Sequence, residues 1–275
     1  MPATDESGVA RLLAFAERAA DRLRADERVR ALWLTGSLAA GTADAQSDVD
    51  LRAAVRVEEF ATIGKWWRAL LDAVAPTVWA RRWPSAPDEA VLSAITLAYE
   101  RFDLVIQSVE DTRPRLLEAT RLLFDKDGLA ERLPLRAAPL PEPLASLPFV
   151  VEEFIRLVGM LPMVVERDDV PMGMEGQMGL HSLLISLLLM ECGIDRATSG
   201  KRHVVAHLDD EQRAVLAQVP TLAPTMDSII QGRLAYARLF LPRAQRLMQA
   251  HGLSYPAAFE AATRRYLLET LGVAL

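Results

Sequence analysis

Two aspartates separated by one residue, Asp48 and Asp50, are the residues of this sequence whose types and spacing best suit chemistry. They stand in the stretch Asp-Val-Asp-Leu, in which polar and apolar residues alternate as in a half-buried strand. That alternation places both carboxylates on one face, about 7 Å apart along the strand. Two such carboxylates repel each other unless a cation lies between them, and Mg²⁺ is a hard cation that prefers oxygen ligands. The spacing therefore predicts a magnesium site.

A second group of candidate residues surrounds the loop that precedes the aspartates. The apolar run Ala31–Leu34 predicts a buried strand, which ends in a Thr-Gly-Ser turn and is followed by ten mostly small or polar residues. Gly36 permits a backbone turn that a side chain would block. Ser37 and the N–H groups of that turn are candidates to hold a phosphate against the cation. Ser47 is a further candidate for a phosphate or for a metal-bound water.

This arrangement resembles the signature of the DNA polymerase β-like nucleotidyltransferase superfamily: an apolar strand, Gly-Gly or Gly-Ser, about ten residues, then Asp-x-Asp or Asp-x-Glu. Gly36, Ser37, Asp48 and Asp50 match it. The resemblance covers a short stretch of the chain closely and its first half loosely. It implies that carboxylates hold two Mg²⁺ ions. It also implies that a nucleoside monophosphate (NMP), AMP in the first instance, passes from a nucleoside triphosphate (NTP) to a hydroxyl group while pyrophosphate leaves.

Within that superfamily the sequence is most similar to the aminoglycoside and lincosamide (antibiotic) nucleotidyltransferases. The resemblance therefore implies a small-molecule acceptor and a link to antibiotic resistance. It also implies an α+β fold, with an N-terminal mixed β-sheet nucleotidyltransferase domain and flanking helices, followed by a C-terminal all-α helical bundle.

Asp103 is the candidate for a third carboxylate. Residues 102–109 predict a strand with Asp103 near its start, joined to a predicted strand over 92–99 by a tight turn at Glu100 and Arg101. The resemblance implies a carboxylate on such a strand, as a third metal ligand or as the base that takes the acceptor's proton. Glu100 is the rival residue. Asp103 also has structural interpretations, as a turn residue or as a partner of Arg101.

Composition limits the classes of partner. The chain has 275 residues, a formal net charge of −6 and one cysteine. The acidic balance argues against binding of long nucleic acid, which needs clustered Lys and Arg. One cysteine excludes an internal disulfide. The N-terminus lacks the apolar segment of a signal peptide, and the longest apolar run, Leu183–Met190, is far shorter than the ~20 residues that span a bilayer. The expectation is a cytoplasmic monomer or homodimer.

The pattern of the chain predicts two domains. Five prolines between residues 134 and 148 mark a linker, which separates a metal- and NTP-binding domain, 1–133, from a helical substrate-binding domain, 149–275. In the first domain we expect helices over 7–28, 57–74 and 111–120 and strands over 31–34, 48–51, 76–83, 92–99, 102–109 and 122–124. In the second we expect helices over 150–161, 178–192, 209–218, 225–250 and 256–271, with Pro242 kinking or splitting the fourth.

The second domain offers candidates for the rest of the site. Lys201 and Arg202 follow a glycine in a predicted loop and are candidates to reach a triphosphate. The resemblance implies that Glu152 and Glu153, on an early helix, line the acceptor pocket. Arg156 departs from it, because an aminoglycoside enzyme can carry its base one helical turn after such acids.

Other functions fit parts of the sequence. A nucleotidyltransferase that modifies a protein hydroxyl (an AMPylating enzyme) uses the same site, although such enzymes tend to be short single domains. A non-catalytic nucleotide-binding regulator is a further alternative, which the presence of both aspartates disfavours. An RNA-tailing enzyme would need a basic stripe that the sequence lacks.

Overall fold

The computed structural model describes residues 6–83, 87, 89–110, 120–132, 144–194 and 204–275. The chain divides into two compact units, Met1–Pro139 and Leu140–Leu275. The first contains a six-stranded mixed sheet and the described part of the second is helical, so the expected α+β fold class is confirmed.

The sheet of the first unit has the strand order β3-β4-β5-β2-β1-β6. Strands β2 and β5 are parallel, whereas the other neighbouring pairs are antiparallel. The parallel pair places two distant stretches of sequence side by side. The strands are β1 Val29–Thr35, β2 Val49–Val55, β3 Thr77–Trp83, β4 Glu89–Thr96, β5 Arg101–Ser108 and β6 Thr120–Asp125.

One face of this sheet packs on helices. Side chains from alternate strand positions, such as Leu34, Leu51 and Leu104, are fully buried against apolar residues of the first and fourth helices, such as Leu23 and Leu70. Such alternation is what a sheet with one covered face requires. The helices of this unit are α1 Glu6–Arg24, α2 Gly36–Ala40, α3 Val57–Phe60, α4 Trp67–Val74 and α5 Leu129–Arg132, with a 3-10 turn at Ile63–Lys65.

The single helix predicted over 57–74 is wrong, because the segment is α3, the 3-10 turn and α4. Gly64 and the β-branched residues before it weaken a continuous helix. The Trp66 indole N–H donates to the Glu59 carbonyl at 3.2 Å and stabilises the folded-back turn. The helix predicted over 111–120 lies outside the described residues except for its last residue, which begins β6.

The second unit is a bundle around one apolar helix. Its helices are α6 Leu147–Gly159, α7 Leu161–Glu166, α8 Val170–Glu191, α9 Val204–His207, α10 Asp210–Ala217, α11 Met226–Ala250 and α12 Ala257–Leu271. The α8 helix packs against both α6 and α11, and the rings of Phe154 and Phe240 stack 3.7 Å apart.

Two predictions that depend on prolines are wrong in part: the fourth helix is not split, and the predicted linker runs two residues too far. Helix α11 runs through Pro242 without a break, because Phe240, Leu241 and Ala244 bury its apolar face on both sides of the proline. Helix α6 begins at Leu147 with Pro148 in its first turn, where the missing N–H is not needed. The last two residues of the predicted linker are therefore helical, while 134–143 lie outside the described residues. None of the described helices is long and apolar enough to cross a membrane.

Candidate active site

The register of the sheet brings the predicted carboxylates together. Asp50 of β2 pairs with Asp103 of the parallel strand β5, and Asp50 also pairs with Thr35 of β1. Directly paired residues share a face, with their backbones about 4.8 Å apart. Both aspartates are half-buried, and they lie on the face opposite the core that α1 and α4 cover.

The turn after β1 packs directly against Asp50. Gly36 has φ +67°, and a Cβ at this position would lie 2.1 Å from Asp50 Oδ2. Thr35 Oγ1 donates to the Asp50 carbonyl at 3.3 Å. Only glycine fits here, since a side chain would be strained and would also displace the carboxylate. Ser37 follows as the second residue of α2 and is half-buried.

The loop before Asp48 is closed by its own side chains. The Ser47 hydroxyl accepts from the Asp44 N–H at 3.0 Å and donates to Asp44 Oδ1 at 3.2 Å. The Arg101 guanidinium donates to the Gln46 carbonyl and so ties the loop to the start of β5. Ser47 thus has a structural role in addition to its predicted contact with phosphate. Asp48, immediately after it, is half-buried at the entrance to β2.

Glu100, the alternative candidate for the third carboxylate, points away from Asp50 and Asp103. Its Oε1 lies 3.6 Å from Arg18 Nη2 of α1, and its Oε2 accepts from Thr96 Oγ1 at 3.1 Å. These partners hold it on the helix-covered side of the sheet. Within the described ranges, the Asp103 side chain makes no hydrogen bond or ion pair, and Arg101 bonds the loop rather than Asp103. The geometry therefore favours Asp103.

A polar network next to the aspartates was missed by sequence reasoning. Arg52 Nη1 donates to Gln107 Oε1 at 2.9 Å, Gln107 Nε2 donates to Glu89 Oε2 at 3.3 Å, and Arg52 lies 3.7 Å from Glu89. Arg52 is on the same face as Asp50, about 7 Å along the strand, and the network therefore lies next to the carboxylates. The only signal in the sequence was a polar residue at alternate positions of three strands.

The donor set fits a magnesium ion that shares its coordination with phosphate. No three His, Cys, Asp or Glu side chains in the described part of the chain form a ready-made metal site. Mg²⁺ is ordinarily held by one or two carboxylates together with waters and substrate phosphates, not by an all-protein cage. The pair Asp50 and Asp103, with Asp48 at the strand entrance, is of that kind.

Four further candidate site residues belong to the second unit. Lys201 and Arg202 lie outside the described residues. Glu152 is exposed. Glu153 accepts two hydrogen bonds from Arg156, both at 2.6 Å, and these bonds hold the pKa of the Glu153 carboxyl below its ordinary value. Arg156 therefore neutralises the half-buried acid of the pair that was predicted to line an acceptor pocket.

The helical unit contains a cavity of about 260 Å³. The Tyr236 hydroxyl and His181 Nδ1 lie 3.1 Å apart at its wall, and burial raises the pKa of Tyr236. Neither Glu152 nor Glu153 lines it, and no lining residue is acidic. The lining residues are Gln177, Met178, His181, Val219, Pro220, Thr221, Leu222, Ser228, Gly232 and Tyr236.

No protein-family model matches the chain, and no curated protein matches it in sequence. Among solved structures, the chain is similar to the crystal structure of an aminoglycoside 6-adenyltransferase from Bacillus subtilis, with a TM-score of 0.38 and 13% sequence identity. The similarity covers 92% of this chain and 95% of that chain. At this TM-score and identity it supports no conclusion about function, which therefore depends on the site itself.

Proposed function

We propose that the chain is a Mg²⁺-dependent nucleotidyltransferase that moves an NMP from an NTP to a hydroxyl of a small molecule and releases pyrophosphate. One observation carries the proposal: Asp50 and Asp103 lie in register on parallel strands, with the Gly36 turn packed against Asp50. Two carboxylates therefore lie on one face of the sheet, beside a turn whose glycine leaves space next to Asp50. ATP is the donor to test first.

The proposed roles follow from the positions of the residues. Asp48 and Asp50 are the metal ligands, and Asp103 is either a third ligand or the base that accepts the proton of the acceptor hydroxyl. Bound Mg²⁺ would neutralise phosphate charge and lower the pKa of the attacking hydroxyl. Gly36 and Ser37 lie on the β1 side of the carboxylates and are proposed to hold the β- and γ-phosphates.

The reaction is an in-line displacement at phosphorus. The acceptor oxygen forms a bond to the α-phosphorus, and the bond from that phosphorus to the bridging oxygen of the β-phosphate breaks. The electron pair leaves with pyrophosphate, and the proton of the acceptor passes to Asp103 or to water. Catalysis of this kind consists mainly of positioning and charge stabilisation, which is what rigid paired strands provide.

The test is a pyrophosphate-release assay with each of the four NTPs. Aminoglycosides, lincosamides, a hydroxyl compound that bears a carboxylate and a no-acceptor blank are compared in the presence and absence of Mg²⁺. We expect Mg²⁺-dependent release with at least one acceptor, and a loss of roughly 10²–10³-fold in kcat for both Asp50→Asn and Asp103→Asn.

Glu100→Gln is the matched control, because Glu100 lies near Asp103 in sequence but on the other side of the sheet. It should retain turnover. Undiminished activity of Asp50→Asn would contradict the metal role. Mg²⁺-dependent NTP binding without release from any acceptor would contradict transfer and would favour a nucleotide-binding regulator.

A further inference from the structure

The row of paired residues continues beyond the carboxylates to the edge of the sheet. Asp103 of β5 pairs with Ser93 of β4, and Ser93 pairs with Arg81 of β3. Asp50, Asp103, Ser93 and Arg81 therefore form one row across four strands on the same face. Strand spacing puts the backbone of Arg81 about 10 Å from that of Asp103.

Arg81 is held in place by its neighbours in this part of the face. Its guanidinium lies 4.7 Å from the centre of the Trp83 ring, in a cation–π contact. The Trp83 indole N–H in turn donates to Ser93 Oγ at 2.9 Å, so Trp83 is fixed to the row. Within the described residues, Arg81 makes no ion pair. The row thus presents an oriented cation to solvent.

Aromatic surface accompanies this cation. Trp79 and Trp83 flank Arg81 on the same face of β3 and are 41% and 40% exposed. Trp79 pairs with Ile95 of β4, which is half-buried. Exposed tryptophans with one oriented arginine are typical of a surface that binds an apolar or flat group carrying negative charge.

We propose that this row binds the acceptor, and that the acceptor is a hydroxyl compound bearing a carboxylate or phosphate next to an apolar part. The inference rests on the proposed function. With the phosphates on the β1 side of Asp50, the leaving pyrophosphate lies toward Gly36. An in-line nucleophile must approach from the opposite side, which is the side of β5, β4 and β3.

Charge distinguishes this acceptor from a polycation. Arg81 favours a carboxylate or phosphate, to which arginine donates paired hydrogen bonds, and it repels an ammonium group. Arg52, another cation on this face, lies 3.7 Å from Glu89 and is paired with it, so it adds little net positive charge beside the aspartates.

Three ligands that share one hydroxyphenyl group test the inference. They are 4-hydroxyphenylacetate (an anion), tyrosol (neutral) and tyramine (a cation). Their affinities for the full chain are measured by saturation-transfer NMR with Mg²⁺ and a non-hydrolysable ATP analogue present. We expect the anion to bind about tenfold more tightly than tyramine, with tyrosol between them.

Arg81→Gln should abolish the preference for the anion over tyrosol and tyramine, whereas Arg82→Gln should keep it. Arg82 is the matched control, because it is the next residue of the same strand and points to the other face, where its Nη1 approaches Gly64. If the order of affinities were unchanged in Arg81→Gln, or if tyramine bound most tightly, the inference would be overturned while the proposed function stayed intact.

Binding of the ATP analogue alone is measured separately. Its failure to depend on Mg²⁺ and Asp50 would overturn the proposed function and, with it, the acceptor role of the row.

Discussion

Gly36 and Asp50 show how one residue fixes another. The backbone of Gly36 has a left-handed conformation and lies where a methyl group would meet the Asp50 carboxylate at 2.1 Å. The carboxylate is therefore positioned by the absence of a side chain on the neighbouring turn.

Gly36→Ala should lower both stability and nucleotide binding. The left-handed conformation costs an alanine about 1–2 kcal/mol, and the clash with Asp50 adds to that cost. Gly41→Ala is the matched control, because Gly41 has φ +70° with nothing within 4 Å of an added Cβ. We expect the control to lose stability alone, while Gly36→Ala also loses Mg²⁺-dependent binding of the ATP analogue in calorimetric titration. Equal nucleotide affinity in the two variants would contradict the role of the turn.

At the scale of the residue, the sequence indicated which residue types could form a site, but not which distant residues the fold brings next to each other. Asp48, Asp50 and Gly36 could be named because they lie close together in the chain. Asp103 was named from its place near the start of a strand and from resemblance, because its pairing with Asp50 depends on a parallel register across more than 50 residues. The Arg52 network was missed for the same reason, since its three residues come from three strands.

At the scale of the element, the turn between α1 and β1 sets where the sheet begins. Asp26 accepts hydrogen bonds from the Arg28 backbone N–H at 3.0 Å and from its Nη2 at 2.6 Å. The Arg28 guanidinium also lies 4.4 Å from the centre of the Trp66 ring. One carboxylate thus connects the turn to the packing of the segment before α4.

This turn makes stability depend on pH. The side-chain hydrogen bonds from Arg28 hold the pKa of Asp26 below its ordinary value. Its contribution is therefore complete above the unfolded-state pKa and is lost as the pH falls through the lower folded-state pKa. Asp26→Asn should reduce the free energy of unfolding by about 1 kcal/mol at pH 7. The difference from the wild type should shrink below about pH 4.

Urea unfolding at pH 7, 5, 4 and 3 measures this difference. Asp21→Asn is the control, because Asp21 makes an exposed pair with Arg24 in the last turns of α1, and such pairs contribute little. If the difference in free energy of unfolding between Asp26→Asn and the wild type stayed constant from pH 7 to pH 3, ionisation of Asp26 would not contribute to stability.

Elements were predicted best where the apolar pattern was long. Helices α11 and α12 and all six strands lie where the pattern indicated, within a few residues at each end. Helix α8 ends as predicted, but it begins at Val170, eight residues before the predicted start at 178. The pattern over 57–74 was compatible with a helix. The hydrogen bond from the Trp66 indole to the Glu59 carbonyl, which stabilises a turn instead, cannot be predicted from apolar periodicity. The continuity of α11 through Pro242 likewise depends on packing against α8.

At the scale of the whole molecule, the two units have separate cores. The buried cluster around the covered sheet face contains residues from the first unit only, and the cluster around α8 contains residues from the second only. All five tryptophans lie between positions 33 and 83, whereas the longest helices belong to the second unit. Tryptophan fluorescence therefore reports on the first unit, whereas circular dichroism at 222 nm is weighted toward the helices of the second.

We expect the two probes to give different urea transitions, because separate cores need not unfold together. Gly36→Ala should lower the midpoint seen by tryptophan fluorescence. Arg243→Met should lower the midpoint seen by circular dichroism at 222 nm. Arg243 is 9% exposed at its side chain and pairs with the partly buried Glu191 at 2.9 Å and with the exposed Glu211. Its loss removes charged hydrogen bonds to Glu191 and should cost about 2 kcal/mol.

Arg233→Met is the contrasting variant on the same helix. Arg233 is buried, its Nε has no hydrogen-bond partner in the described part of the chain, and burial lowers its pKa to about 10. Arg233 Nη1 donates to the Leu157 carbonyl, but among the described residues the guanidinium has no carboxylate partner. Replacing it with an apolar side chain should therefore leave the helical midpoint unchanged or raise it. If fluorescence and circular dichroism instead moved together in all three variants, the two cores would form one cooperative unit, and charge placed in the helical bundle would affect the stability of the strands that carry Asp50 and Asp103.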